Sequence, residues 1–343
     1  MNIFPVLSPE HNFDDHPENA TRIPAILAAL NDLPASSSFL LHAKRSNFPS
    51  ATDAQLATVH DPDYVAALRE VMSRAPAYID HAPTYITPQS FDCAAGAAGA
   101  ALAAVESAIS NNQSPISFAL IRPPGHHAPP GQAMGFCLFN NIALAARHAQ
   151  SLGQPKVMIV DFDVHHGNGT QDCFYDDSSV LFISTHQAGI YPLTGHEEET
   201  GAGAGDGYTV NIPLPAGAGD AAFRHIYEDL LLPAADRFQP NILLVSAGYD
   251  AHWRDPLASL QLSCTGYHLM AGLLADIARK HCGGKLVFVL EGGYDLPALS
   301  HGVVNTILGV LGQPPADPLG PPRHPEPDIR ALLARLKARH GLS

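Results

Sequence analysis

Basic residues are scarce in this chain. Its 343 residues hold 19 lysines and arginines against 33 aspartates and glutamates, for a formal net charge of −14. A surface of that sign repels phosphate backbones, so nucleic acid is not an expected partner, whereas a cationic substrate is steered favourably. Cysteines are few and unpatterned: Cys93, Cys137, Cys173, Cys264 and Cys282 form no C-x-x-C pair. Such a set argues against a disulfide framework and for a reducing, cytoplasmic setting. The opening MNIFPVLSPEHNFDD has no basic segment followed by an apolar core, so it does not read as a signal peptide. The small-residue stretch AAGAAGAALAAVESAI carries Glu106 and reads as a packed helix, which leaves no membrane partner. Gly-rich GHEEETGAGAGDG has no G-K-[ST] and several acids, so it is no phosphate loop. Neither an internal repeat nor a low-complexity linker divides the chain, and residues 1–343 are expected to form a single domain.

Apolar residues make up 46% of the chain, enough for a sizeable core. Five apolar runs have strand length: ISFALI (116–121), KVMIV (156–160), VLFIS (180–184), NILLVS (241–246) and KLVFVL (285–290). None alternates apolar with polar, which is the pattern of strands covered on both faces. Helical patterns lie between many of them, in FDCAAGAAGAALAAVESAIS, LFNNIALAARHAQ, GDAAFRHIYEDLLLPAADRF and TGYHLMAGLLADIARKH. This succession predicts a three-layer α/β/α domain around a mainly parallel sheet. Pro-rich QPPADPLGPPRHPEP (313–327) leads into a C-terminal helical tail at about 326–340.

Four of the runs end in residues capable of chemistry. ISFALI leads to RPPGHH, KVMIV to DFDVHHGNG, NILLVS to AGYDAHWRD, and KLVFVL to EGGYD. In open α/β sheets ligands bind outside the carboxyl ends of the strands, so the active site is expected there. Asp163 and His165, two apart in an extended segment, face the same side. With Asp250 they supply two oxygens and one nitrogen, a set suited to Zn²⁺ with an open position. The plainer alternative makes Asp163 a helix cap and His165 a loop histidine.

Two carboxylates neutralise the formal charge of Zn²⁺, so a water on it should be less acidified than in a three-histidine site. A separate base and a separate oxyanion donor are therefore expected. His126 and His127 are the candidates for proton transfer. Asp161 could pair with one and raise its basicity, while neutral Asn168 could orient the other. Tyr294 can donate to a developing oxyanion, with Gly292 and Gly293 allowing a tight turn. His16, His60, His166 and His252 read as structural, His166 pointing away from the Asp163/His165 face.

Taken together, RPPGHHA, GFCLFNN, DFDVHHGNGTQ, SAGYDAHWRDPL and LEGGY, with HPENATR and HDPDYV upstream, resemble the zinc-dependent histone deacetylase family. That family includes bacterial deacetylase-like amidohydrolases and acetylpolyamine amidohydrolases. The resemblance runs from about His16 to about Leu311, and Asn168 with the glutamate of EGGY is similar to the class II branch. It implies the arginase–deacetylase fold, one Zn²⁺ on Asp163, His165 and Asp250, and hydrolysis of an N-acyl, above all acetyl, amide of lysine or a similar amine. His126, His127 and Tyr294 fall on the family's catalytic positions.

Beyond the zinc site, the resemblance implies a structural K⁺ or Na⁺ near Asp161, Asp163, His165 and Ser184. A second cation would sit on backbone groups around Phe174, Asp177, Val180 and Tyr208. Gly135, Phe136 and Tyr191 match walls of a substrate channel, and Arg22 matches an arginine beneath the site. An acetylpolyamine deacetylase is the nearest alternative, although DHAPTYITPQSF is short where some of those relatives carry a long insertion. A two-manganese ureohydrolase would need additional bridging aspartates where His166 and Asn168 stand. A non-enzymatic binding protein is disfavoured by the intact set of ligands, histidine pair and Tyr294.

Overall fold

A computed structural model describes residues 1–33, 42–43, 48–111 and 113–342. Ten strands lie among the described residues: β1 (Asn2–Pro5), β2 (His42–Ala43), β3 (Ala77–Tyr78), β4 (Tyr85–Ile86), β5 (Ile116–Leu120), β6 (Val157–Asp161), β7 (Val180–Gln187), β8 (Thr209–Leu214), β9 (Ile242–Ala247) and β10 (Leu286–Leu290). Eight form one sheet in the order β2-β1-β5-β10-β9-β6-β7-β8, with β3 and β4 pairing separately. Every pairing in the large sheet is parallel. All five strands expected from the apolar runs are present, within a residue of expectation at their starts.

Successive residues of the central strands enter different cores. Met158, Val160, Leu243, Val245, Leu286 and Phe288 pack with the helices Arg22–Asn31, Cys264–His281 and Leu296–Val310 on one face. Val157, Ile159, Ile242, Leu244, Val287 and Val289 pack with Ser90–Ser110 and Asn141–Ser151 on the other. An apolar run without alternation is what two-sided burial requires, and the result is the expected three-layer arrangement. The helix Ser90–Ser110 is long and apolar enough to cross a membrane, and 67% of its most apolar stretch is buried inside the fold. Its alanines permit close approach. A Cβ added at Gly99 would stand 2.2 Å from the Pro49 carbonyl oxygen.

Several elements escape the sequence patterns, β8 and the helix Leu296–Val310 among them. β8 contains Pro213, which cannot donate to a ladder; it is tolerated because β8 is the last strand of the sheet. The helix Leu296–Val310 is buried around nearly its whole circumference, so it shows no polar stripe. The helix expected across GDAAFRHIYEDLLLPAADRF is interrupted by a π turn at Tyr227–Leu231. Pro233 stands in the first turn beyond it, where its missing N–H is tolerated. The tail helix is present at Arg330–His340, with Leu333 and Leu336 turned inward.

Candidate active site

β10, β9 and β6 are adjacent, and their register brings Val289, Ser246 and Asp161 level across the sheet. The segments that follow these strand ends, together with the one following β5, therefore open on one side. β6 ends at Asp161, and residues 162–167 bend instead of continuing as a strand. Strand alternation is thus not what directs Asp163 and His165 to one point. The bend does so: Asp163 Oδ1 accepts from the His165 backbone N–H at 3.0 Å and lies 3.3 Å from His165 Nδ1.

Asp163, His165 and Asp250 offer ligand atoms that all lie within 4.8 Å of one another. His165 Nδ1 is 3.3 Å from Asp250 Oδ2. The other Asp250 oxygen accepts from the Val164 N–H at 2.9 Å, and Asp163 Oδ2 accepts from the Gly292 N–H at 2.8 Å. Asp250 Oδ2 itself is buried without a hydrogen-bond partner, a costly state for a carboxylate oxygen unless a cation meets it. Burial opposes charge on His165, yet its hydrogen bond to Asp163 and the nearby Asp250 and Asp163 charges hold its pKa up, to about 10. The site thus demands positive charge at one point, and two oxygens with one nitrogen fit a divalent ion such as Zn²⁺.

Glycines make room for these carboxylates. A Cβ at Gly248 would stand 2.1 Å from Asp163 Oδ2, and one at Gly292 would stand 2.1 Å from Asp250 Oδ2. Gly293, at φ +116°, supplies the turn expected of the pair. Gly292→Ala is expected to displace the carboxylates and lower activity by at least about 10²-fold, the scale of a misplacement of about 1 Å. Metal content measured alongside activity checks it. Full metal and near-normal turnover would show that the carboxylates tolerate the added methyl group.

The rings of His126 and His127 lie in tilted contact, centroids 4.0 Å apart, but their partners differ. His126 Nδ1 lies 3.0 Å from Asp161 Oδ2, and His126 Nε2 lies 3.7 Å from Asp163 Oδ1. Burial opposes a charge on His126, but Asp163 and Asp161 outweigh it and raise its pKa to about 10. His127 Nδ1 lies 2.8 Å from Asn168 Oδ1. The Asn168 amide nitrogen, 3.4 Å from Met134 Sδ, supports that orientation. His127 therefore donates from Nδ1 and keeps Nε2 as an acceptor. Burial, then the neighbouring His126 and His165, push its pKa well down, so it is neutral. The sequence expectation of one acid-paired and one amide-paired histidine matches this geometry.

Ala82, Pro124, His126, His127, Gly135, Phe136, His165, Tyr191, Leu257, Gly292 and Tyr294 line a pocket of about 240 Å³. The Tyr294 ring meets Phe136 edge-on, with centroids 5.9 Å apart, and the Arg22 guanidinium lies 5.2 Å from the Tyr294 ring centre. Burial raises the Tyr294 pKa well above its usual value, so the phenol stays protonated. Tyr191 faces His127 edge-on at 5.1 Å, and its hydroxyl is buried without a partner. Arg22 does not line the pocket. It lies beneath it, donating to the carbonyls of Gly293 at 2.9 Å and Glu291 at 2.5 Å.

The positions proposed for monovalent cations are spread over two places. Asp161 and Ser184 are paired across β6 and β7, and Ser184 Oγ lies 2.9 Å from His186 Nδ1. Phe174 ends the helix Asn168–Phe174, Asp177 lies in the turn that follows, Val180 opens β7, and Tyr208 precedes β8. The Asp177 carboxylate is engaged by Arg147 at 2.6 Å, so only backbone oxygens remain for an ion there. His166 faces Thr194 and Gln171, away from the metal ligands. His16, His60 and His252 are buried among protein partners, His16 packing against Phe136.

Two supporting residues have structural roles that their motifs do not announce. Glu291 is buried, and its Oε2 accepts from the N–H groups of Gly125 and His126 at 2.7 and 3.2 Å, fastening the histidine turn to the end of β10. Asp255 Oδ2 accepts from the N–H groups of Tyr294 and Asp295 at 2.7 and 3.2 Å. Only their place after strand ends, in EGGYD and AGYDAHWRD, marks them.

The model of the histone deacetylase domain matches residues 16–310. The chain belongs to the histone deacetylase family. Its relatives in that family include histone deacetylase 14, chloroplastic, of Arabidopsis thaliana, 47% identical over 88% of this chain and 74% of that protein. A probable deacetylase of Archaeoglobus fulgidus is 43% identical, covering 83% and 79% of the two chains. The histone deacetylase-like amidohydrolase of Pseudomonas aeruginosa is 38% identical, covering 76% and 70%. The crystal structure of the HDA15 HD domain superposes with a TM-score of 0.87 at 34% identity, covering 99% of this chain and 93% of that one. The sheet is thus that of the arginase–deacetylase fold, and this family member is a deacetylase that hydrolyses acyl amides.

Proposed function

We propose that this deacetylase is a zinc enzyme acting on the acetyl amide of lysine or of a similar small amine, with release of acetate and the free amine. The observation that carries the reading is the convergence of Asp163, His165 and the unpartnered Asp250 Oδ2 beside a histidine pair with unlike partners. Zn²⁺ bound there would supply Lewis-acid charge next to the acyl carbonyl. Neutral His127, oriented by Asn168, takes a proton from the attacking water. His126, paired with Asp161, carries positive charge beside the leaving amine, and the proton taken up by His127 passes to that amine nitrogen as the C–N bond breaks. Tyr294 donates to the carbonyl oxygen as charge develops on it. Gly135, Phe136 and Tyr191 form a narrow apolar sleeve suited to an alkyl stem. Asp161 and Ser184, with the backbone around Phe174, Asp177, Val180 and Tyr208, would take K⁺ or Na⁺. We further propose that the whole chain works as one domain in a reducing, cytoplasmic setting, which its five free cysteines favour.

Elemental analysis is expected to give one tightly held divalent ion per chain, lost in Asp250→Asn. Two divalent ions in the site would instead favour the ureohydrolase alternative. A side-by-side screen of acetyl-lysine peptides, other acylated lysines and acetylpolyamines is expected to give the highest kcat/KM on acetyl-lysine. A clear preference for acetylpolyamines would move the assignment to that class.

A further inference from the structure

A second cavity, of about 470 Å³, opens at the other end of the sheet. Its walls include Lys156, which precedes β6, Leu181 of β7, and Tyr208, which precedes β8. The strands are parallel, so this is the end opposite the histidine pair. In a chain with 33 acidic and 19 basic residues, three cations gather here: Lys156, Arg237 and Arg339. Asp206 is the one carboxylate among the lining residues.

The cations are incompletely neutralised. Arg339 reaches Glu198 at 3.2 Å. Lys156 Nζ donates to the Phe238 carbonyl at 3.2 Å, and Arg237 donates to the His340 carbonyl. Neither of these two has a carboxylate partner among the described residues. Independently, His340 lines the cavity at 6% exposure, and its Nε2 is buried with no hydrogen-bond partner. A buried polar nitrogen is costly to leave unpaired. Burial, Arg237 and Arg339 hold the His340 pKa down, to about 4. An anion beside the two arginines would offset their effect and offer the nitrogen a partner.

We infer that this cavity binds a phosphate-bearing small molecule. The phosphoryl group lies between Lys156 and Arg237 with Arg339 at its side, and the organic portion rests on the Phe238 and Tyr208 rings. The charge of Lys156 and Arg237 matches the roughly −1.5 to −2 of a phosphate ester at neutral pH. Arginine adds a planar fork suited to phosphate oxygens. The two rings pack edge-on with centroids 5.9 Å apart and give the cavity an apolar side.

The metal-loaded, full-length enzyme would be titrated calorimetrically with phenyl phosphate, inorganic phosphate and phenol at constant ionic strength. Tm would be followed in parallel. Saturable binding is expected for phenyl phosphate, weaker binding for inorganic phosphate and none for phenol, with Tm rising as the site fills. Lys156→Gln and Arg237→Gln should each weaken phenyl phosphate by about tenfold or more, the scale of one charge-assisted hydrogen bond. Their kcat/KM without added anion should stay unchanged. Arg237 also holds the end of the tail helix, so Lys156→Gln is the decisive variant if Arg237→Gln lowers Tm by itself. Absence of saturable binding would overturn the proposal. So would affinity undiminished in Lys156→Gln, which would place the anion elsewhere. Equal affinity for phenyl phosphate and inorganic phosphate would overturn the part given to the rings.

Discussion

Tyr294→Phe is expected to lower kcat by roughly 10²–10³-fold, the scale of losing one oxyanion donor, while KM changes less. The hydroxyl makes no hydrogen bond within the described residues, so its loss leaves no partner stranded. The ring keeps its edge-on contact with Phe136, and the backbone N–H of Tyr294 keeps its bond to Asp255. Fold and metal content should therefore survive the change. Two of the three proposed metal ligands are carboxylates and would offset much of a divalent charge, so a second electrophile has more to contribute than beside a three-histidine centre. A hydroxamate should still bind the variant, though more weakly. Steady-state kinetics on the best acylated amine decides the matter: near-normal turnover would remove Tyr294 from the chemistry.

His127→Ala and His126→Ala should each reduce turnover by roughly 10²–10⁴-fold, the range of general acid–base catalysis, with metal retained. The two losses should differ in kind. His127 is neutral and held by Asn168, so its replacement removes an acceptor for the water's proton. His126 is held charged by Asp163 and Asp161, so its replacement also leaves the buried Asp161 without its counter-charge. A divalent ion on Asp163 would take up part of that carboxylate's field, which makes Asp161 the partner that matters most for His126 in the loaded enzyme. Metal analysis separates a proton-transfer role from ligation. Loss of the ion in either variant would mean that a ligand had been taken for a base.

The strand ends were legible because buried parallel strands leave a plain trace: an apolar run stopped by polar residues. Asp163, His165, Asp250, the histidine pair and Tyr294 all follow such stops, and the fold brings them to one side. The supports were less legible. Glu291 and Asp255 act by accepting backbone N–H groups, which every residue but proline carries, so nothing in the recipient sequence announces them. Gly248 and Gly292 matter for the carboxylates that crowd them, and that crowding exists only after β6, β9 and β10 have come together. The bend after Asp161 also misleads, since a strand pleat and a tight loop can bring the same two residues to one point. The cationic cavity is harder still: Lys156, Arg237 and Arg339 are far apart in sequence and join only across the starts of neighbouring strands.

The order of strands along the sheet bears on how this protein is made. β5 and β6 carry the histidine pair and two of the three metal ligands, and both precede residue 170. Yet they are not neighbours: β10 and β9 lie between them. At about 4.8 Å per strand spacing, the gap across those two places is roughly 14 Å. A nascent chain emerging from the ribosome therefore cannot assemble the centre from its first two-thirds. β5 and β6 can take their places in one sheet only once residues 242–290 supply the two strands between them. Metal capture then becomes a late event in biogenesis, and a chain stalled before β9 would present unpaired strand edges to other chains.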